Sequence, residues 1–287
     1  VKAALEYKVD AVITLATDMP VRTVAAVGEA LKIPAISVDS AKKATNKILM
    51  RDALAKCNVP IPHYYQASSE KEFITAVQQI RNMGYKCIIK PADSSGSRGV
   101  NLLSAYDEDS LKTAYAYSKK NSRSGEVIIE EFMEGIEVCV ETLNVRGVCY
   151  PIQITDKLTT GSPYFVEMGH SQPSRLSQKT QDKIKEIAIA ANMAIENYNG
   201  SSCTEIMVTK DGPKVVELGA RLSGDYMTTD LVPLSTGIDM VKSIIQIALG
   251  EIPDYSPKFN KGSAIRFLSA LEGKIVSISG EDLAQEI

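Results

Sequence analysis

"SCTEIMVTKDGPKVVELGAR", residues Ser202 to Arg221, decides how the rest of the chain is read. Two runs, SCTEIMVTK and PKVVELGA, have the composition and length of strands. Asp-Gly-Pro between them is a hairpin signal. Counted outward from that turn, Glu205 and Glu217 lie far enough along to pair across the ladder. Both sit inside apolar runs, and a buried carboxylate without a partner costs several kcal/mol. Side by side, two of them repel until one takes up a proton. A hard cation between them removes both penalties, and magnesium favours carboxylates together with phosphate oxygens. An edge hairpin with both glutamates in solvent is the alternative that this pair alone leaves open. Arg221, on the same face of a continuing strand, adds positive charge nearby.

Upstream, "CIIKPADSSGSRGV" (Cys87 to Val100) reads as a buried strand that ends in Lys90 and opens into a small-residue loop. Glycines let backbone N–H groups approach an anion closely, and Lys90 offers a point charge to a phosphate. No G-K-[ST] follows, so this is not a Walker loop. A flexible turn between strands is the alternative. Between the loop and the hairpin lies "IIEEFMEGIEVCVE", with Glu130, Glu131 and Glu137. A carboxylate at Glu137 suits two ribose hydroxyls; a solvated turn is the plainer reading.

Lysine, glycine loop, Glu-Glu strand, paired glutamates and arginine occur in one order. In that order the chain resembles the ATP-grasp superfamily, from about Ala41 to Gly250. The likeness is to carboxylate–amine ligases such as the carbamoyl-phosphate synthase large chain, dipeptide-forming amino-acid ligases and purine-pathway ligases. It implies an α/β fold in which two α+β lobes clamp ATP. It further implies that Lys47, in ATNKILMRDAL, lies near the phosphates, and that Lys90 bridges the α and β phosphates. Ser95, Gly96, Ser97 and Gly99 would belong to a mobile flap over them. Glu130 would receive the adenine amino group. Glu131 and Met133 would offer backbone groups at the adenine edge, with Phe132 nearby, and Glu137 would bind ribose. Glu205 and Glu217 would be the magnesium carboxylates, and Arg221 would steady the transferring phosphoryl group or the acyl phosphate. The segment "TDKLTTGSPYFVEMGHSQPS" resembles the loop that closes over such sites. Lys157 in it is a candidate for the γ-phosphate. His170 is a candidate for substrate contact or proton transfer, against the plainer role of a hydrogen bond that steadies the loop. One departure stands out. Many members read Glu-x-Asn-x-Arg at the second metal site, whereas here the run is ELGAR, with Gly219 at the asparagine position.

The implied reaction has two steps. A carboxylate attacks ATP to give an acyl phosphate, and an amine then displaces phosphate. ATP and Mg²⁺ are the implied cofactors, with Mn²⁺ as a substitute. A small-molecule carboxylate and an amine are the implied partners, and a homodimer is a further expectation. The competing readings are an ATP-grasp small-molecule kinase, a non-catalytic nucleotide-binding lobe of a larger synthetase, and an α/β domain without an ATP site.

Bulk numbers fit such an enzyme. Of 287 residues, 44% are hydrophobic, enough for a sizeable core. A net charge of −3 argues against a nucleic-acid partner held by a basic surface. The five cysteines are scattered and read as buried, reduced thiols of a cytoplasmic protein. With only His63 and His170 as histidines, a zinc cluster is not indicated. No run approaches the roughly 18 apolar residues of a membrane helix, and no signal peptide is visible.

The chain opens with Val1, in what reads as the middle of a helix, so further sequence is expected upstream. "DAVITLA" (Asp10 to Ala16) and "AISV" (Ala35 to Val38) read as strands around a helix from Val21 to Ile33. That is a parallel α/β unit, like the second half of a Rossmann-type domain. The expected organisation is a partial Rossmann-like region over 1–40 and a connecting helix within 41–62. A small lobe over 63–132, a large lobe over 133–250 and the start of a C-terminal segment over 251–287 follow.

Overall fold

The computed structural model describes residues 1–162, 165–269 and 272–280. Its N-terminal part carries α1 (Lys2–Tyr7), α2 (Val21–Leu31), α3 (Val38–Ala44) and α4 (Lys47–Lys56). The Rossmann-like expectation is not met. Residues 10–16 and 35–37 form no strand, and the one bridge there joins Leu15 to Leu222 in parallel. Strand-like composition reports burial in a sheet, and among the described residues these stretches find no neighbouring strand to pair with. The single connecting helix expected from Ala41 is also two helices. Asn46 starts the second, its side chain accepting from the amides of Ile48 and Leu49.

A four-stranded antiparallel sheet follows, built from β1 (Tyr64–Ala67), β2 (Cys87–Pro91), β3 (Asn101–Leu102) and β4 (Val127–Glu131) in the order β1-β4-β2-β3. Side chains alternate across it. Cys87, Ile89, Val127 and Ile129 pack on Phe73 and Ile80 of α5 (Glu70–Asn82) and on Leu111 and Tyr115 of α6 (Glu108–Lys120). A capping box starts α5, with Ser69 and Glu72 as its members. Lys90, Ile128 and Glu130 take the other face, towards α4, where Ile128 packs on Ile48.

The second sheet has six antiparallel strands: β5 (Ile136–Val145), β6 (Val148–Thr159), β7 (Glu167–Gln172), β8 (Gly200–Thr209), β9 (Gly212–Gly219) and β10 (Ser263–Arg266). Their order is β10-β7-β6-β5-β8-β9. Val138, Val140, Ile154, Ile206, Val215 and Leu218 pack on α7 (Gln178–Ala194) and on Met50 and Leu54 of α4. The alternate residues, including Glu137, Glu141, Lys157, Glu205 and Glu217, share the opposite face. A π-helical turn (Met227–Leu231), α8 (Val232–Thr236) and α9 (Met240–Ala248) close one end of that face around Leu143 and Leu222. Among the described residues, no single helix is long and apolar enough to cross a membrane.

Several expectations need correction here. The segment read as a closing loop contains the end of β6 and all of β7, so Lys157 and His170 stand on strands; its residues 163–164 lie outside the described residues. Of the strand-like run SAIRFLSAL, residues 263–271, the strand takes Ser263–Arg266, and residues 270–271 lie outside the described residues. The β8–β9 turn is Lys210–Asp211, with Thr209 paired to Gly212 at φ 110°, one residue before the expected Asp-Gly centre. The cysteines are not all reduced and buried. Cys139 and Cys203 are bonded across β5 and β8, and Cys57 is exposed. Glu205 faces Cys139 and Cys203 faces Glu141, so the two sulfurs meet on a diagonal of one sheet face.

The glycine loop after β2 is held at its base. Asp93 accepts from Ser122 Oγ and from the amides of Arg123 and Ser124. Gly99 has φ 78°, and a Cβ there would stand 2.5 Å from Pro91 Cγ and 2.6 Å from Asn121 Cβ. Gly96 also has positive φ, but open space around it. Gly99→Ala is therefore expected to cost about 2 kcal/mol, and Gly96→Ala about 1 kcal/mol. Urea denaturation of the two variants checks this order; an equal or reversed cost would show that Gly99 is not packing-limited.

Candidate active site

Residues from both sheets and from α4 converge beneath the glycine loop. Glu205 and Glu217 are direct cross-strand partners. Lys47, the first residue of α4, places Nζ 2.8 Å from Glu217 Oε1 and 2.7 Å from the carbonyl of Ser94 in the loop. Lys157 Nζ lies 3.2 Å from Glu205, 2.8 Å from Glu137 and 2.7 Å from Glu167. Burial raises the carboxyl of Glu205, an effect that its acidic neighbours reinforce and Lys157 opposes. Burial acts on Glu217 too, but Lys47 outweighs it and holds that carboxyl below its ordinary range. Lys157 is itself buried, which disfavours its charge, yet its three carboxylates raise it well above the ordinary lysine value. The facing donors are carboxylate oxygens, the type a hard divalent cation takes. Each is met here by an ammonium group, so the position already accommodates positive charge.

Arg51 lies one turn after Lys47 on the same face of α4. Its Nε donates to Glu130 Oε1 at 2.6 Å and its Nη2 to the carbonyl of Val216 at 2.7 Å. Lys90 donates to the other oxygen, Glu130 Oε2, at 2.7 Å. Burial pushes the Glu130 carboxyl upward, but Arg51 and Lys90 overcome it and hold it down to about 2. This corrects the expectation for Glu130. Its carboxylate is enclosed between two cations and is 1% exposed, so it holds Lys90 in place and does not face a base. Glu131 points the other way. It pairs with Lys214 of β9 and accepts from the His63 amide, and its own amide donates to the His63 carbonyl. The Phe132 amide donates to the Lys86 carbonyl. Met133 is buried, and its amide has no backbone partner among the described residues.

His170 corrects a second expectation: it stands on β7 and not in a loop, and it is fully buried there. Its Nε2 lies 3.4 Å from Asp225 Oδ2 and 3.5 Å from Glu167 Oε2. Asp225 and Tyr226 are consecutive left-handed residues, φ 52° and 59°, leading into the π-helical turn. Glu141, also on this face, accepts from Ser223 Oγ, and burial pushes its carboxyl up to about 7. Arg221 donates from Nε to Asp18 Oδ1 at 3.0 Å. In the loop, Gly96, Ser97 and Gly99 all have positive φ, and Arg98 Nε turns back to the Ser95 carbonyl.

Sequence reasoning named one end of most of these pairs and missed Arg51, Glu167, Asp225 and Asp18. Arg51 was findable, because residues four apart share a helix face. The other three are joined to the site only by the fold.

A model of the ATP-grasp domain matches residues 44–225. Alanine–anticapsin ligase of Bacillus subtilis is 28% identical over 268 residues, 86% of this chain and 55% of the relative. Phosphoribosylamine–glycine ligase of Methanococcus vannielii is 24% identical, over 78% of this chain and 55% of the relative. The chain thus spans about 55% of the length of these curated relatives. Among solved structures, an L-amino acid ligase from Bacillus licheniformis superposes with a TM-score of 0.82 at 22% identity, covering 100% of this chain and 69% of that one. The glycine loop, the buried lysines and the facing glutamates lie within the matched stretch, and the chain belongs to the ATP-grasp family.

Proposed function

We propose that this chain carries the nucleotide site and catalytic centre of an ATP-dependent ligase. The enzyme joins a carboxylate to an amine through an acyl phosphate and releases ADP and phosphate. The observation that carries this reading is the Glu205–Glu217 pair, opposed on adjacent strands and flanked by Lys47 and Lys157 below a glycine loop.

Lys47 and Lys90 face the loop side and meet the phosphates, while Ser95, Gly96, Ser97 and Gly99 close over them. The Met133 amide meets the adenine edge beside Glu131 and Phe132, and Glu137 the ribose. Glu205 and Glu217 hold magnesium, with manganese as a substitute, which when bound neutralises charge on the transferring phosphoryl group. The lysines take up charge that builds during transfer. Lys157 exchanges a carboxylate partner for the phosphate, and Arg221 steadies the acyl phosphate. Under a closed loop the intermediate is shielded from water. Glu167 and Asp225, 31% and 44% exposed, offer two carboxylates beside His170. That suits the ammonium group of an amino acid, the substrate type that the names of the relatives also favour. His170, buried behind that pair, holds the two carboxylates in position for it. The small and large lobes over 63–132 and 133–250 clamp ATP between them. A cytoplasmic enzyme, with a second copy as its partner, completes the proposal.

Phosphate release is expected only when ATP, a carboxylate and an amine are all present, tested by screening amino-acid pairs with the intact protein. Release with one substrate alone, as a phosphorylated product, would make it a kinase. Glu217→Gln should lower kcat by about 100-fold, about 2.7 kcal/mol in the barrier. Turnover unchanged by that substitution would remove the metal role.

Glu130→Gln leaves Arg51 and Lys90 buried without their anion, and is expected to cost about 3 kcal/mol in urea denaturation at neutral pH. Because Glu130 is held from 4.5 down to about 2, its stabilisation is complete above about pH 4.5 and is lost as pH falls towards 2. The gap between wild type and variant should therefore narrow on acidification; a gap that widens would contradict the ion-pair account.

A further inference from the structure

Gly219 stands where the family pattern expects asparagine, and its surroundings explain the absence of a side chain. The residue does not have a positive φ, so its backbone does not demand glycine. Space does. A Cβ there would lie 2.9 Å from Asp18 Oδ1, 3.2 Å from Arg221 Cζ and 3.3 Å from Arg221 Nε. The volume next to Gly219 is filled by an ion pair whose acidic member comes from the segment before α2. Asp18 lies outside the stretch 44–225 that matches the family.

The chain is held so as to deliver it. The Ala16 amide donates to the Leu222 carbonyl at 3.1 Å, beside the Leu15–Leu222 bridge. Ala16 itself has φ 58°, a conformation that alanine seldom adopts. Two residues on, Asp18 Oδ1 accepts from Arg221 Nε at 3.0 Å, with both side chains largely buried. Arg221 has five N–H donors. Nε is used by Asp18, Nη1 reaches only the Leu222 carbonyl at 3.5 Å, and Nη2 has no acceptor among the described residues. One edge of the guanidinium is thus fixed while the Nη groups stay available to an anion.

We propose that Asp18 is a positioning residue for the ligase reaction. Its carboxylate takes the space of the missing side chain at 219 and orients Arg221 through Nε, leaving the Nη groups for the oxygens of the phosphoryl group or acyl phosphate. What Arg221 contacts rests on the ligase reading above; the shared space beside Gly219 does not.

Asp18→Ala, Asp18→Asn, Gly219→Asn and the double variant Asp18→Ala/Gly219→Asn, made in the intact protein, test this by kinetics and thermal melting. Asp18→Ala should lower kcat by about 30-fold while KM for ATP stays within about threefold. Asp18→Asn keeps an oxygen for Nε and should regain at least about threefold of that loss. Gly219→Asn alone should melt about 3 °C or more below wild type, and that loss should shrink by about half or more when residue 18 is alanine, the Arg221 contacts remaining. Wild-type kcat in Asp18→Ala would overturn the proposal. So would a Gly219→Asn melting loss that does not depend on residue 18. A fall in Mn²⁺ affinity in Asp18→Ala as large as in Glu217→Gln would make Asp18 a metal ligand and also overturn it. A wild-type protein that forms no product from any pair counts against the ligase reading, and the melting comparison then still decides whether Asp18 occupies that space.

Discussion

Two carboxylates that face each other on a half-buried ladder cannot both keep their charge unless cations stand within reach. Glu205 and Glu217 impose that condition on the whole chain. The cations that meet it come from separate elements: Lys47 from the start of α4 and Lys157 from β6. Each brings obligations of its own. Lys157 is buried and needs Glu137 and Glu167 as well as Glu205. Arg51, one turn beyond Lys47, is almost wholly buried and needs Glu130, which in turn holds Lys90. A network of ion pairs therefore runs from the six-stranded sheet through α4 to the four-stranded sheet. It ties the strand that precedes the glycine loop to the hairpin that carries the glutamates.

Such a network is a poor source of stability compared with apolar packing, since desolvation offsets much of the attraction. Its value lies in exchange. On the proposed function, a nucleotide phosphate would bring negative charge to lysines already positioned, and a cation would bring positive charge to carboxylates already opposed. Neither partner has to be assembled from solvent. Lys47 shows the coupling most directly, because its ammonium touches the loop at the Ser94 carbonyl and the facing carboxylates at Glu217. A ligand that draws Lys47 from either contact changes what holds the loop.

How far this was legible in sequence depends on what each signal reports. The hairpin, the glycine loop and the long strands of the large sheet were readable, because each has one apolar face and a local turn. β7 was not. Its sequence, EMGHSQ, shows no apolar alternation, since Glu167 and His170 line a polar site, and it was taken for part of a loop. The stretches at 10–16 and 35–38 erred the other way, with strand composition but no strand partner. Glu130 was assigned to the base because its position in the motif was visible, while Arg51, which encloses it, was read only as a residue of a helix. The Cys139–Cys203 bond was unreadable, because cysteine spacing does not reveal which strands are neighbours.

The contrast between Lys47–Arg51 and Asp18–Arg221 marks the boundary of such reading. The first pair is one helical turn apart, so local periodicity alone puts both on one face. The second is separated by 203 residues, and nothing near either member hints at the other. Yet the gap it fills was visible as a glycine in a motif that usually carries a side chain. A missing side chain in an otherwise intact motif is therefore a positional clue. It says that something from elsewhere in the chain occupies the space, even when sequence cannot say what.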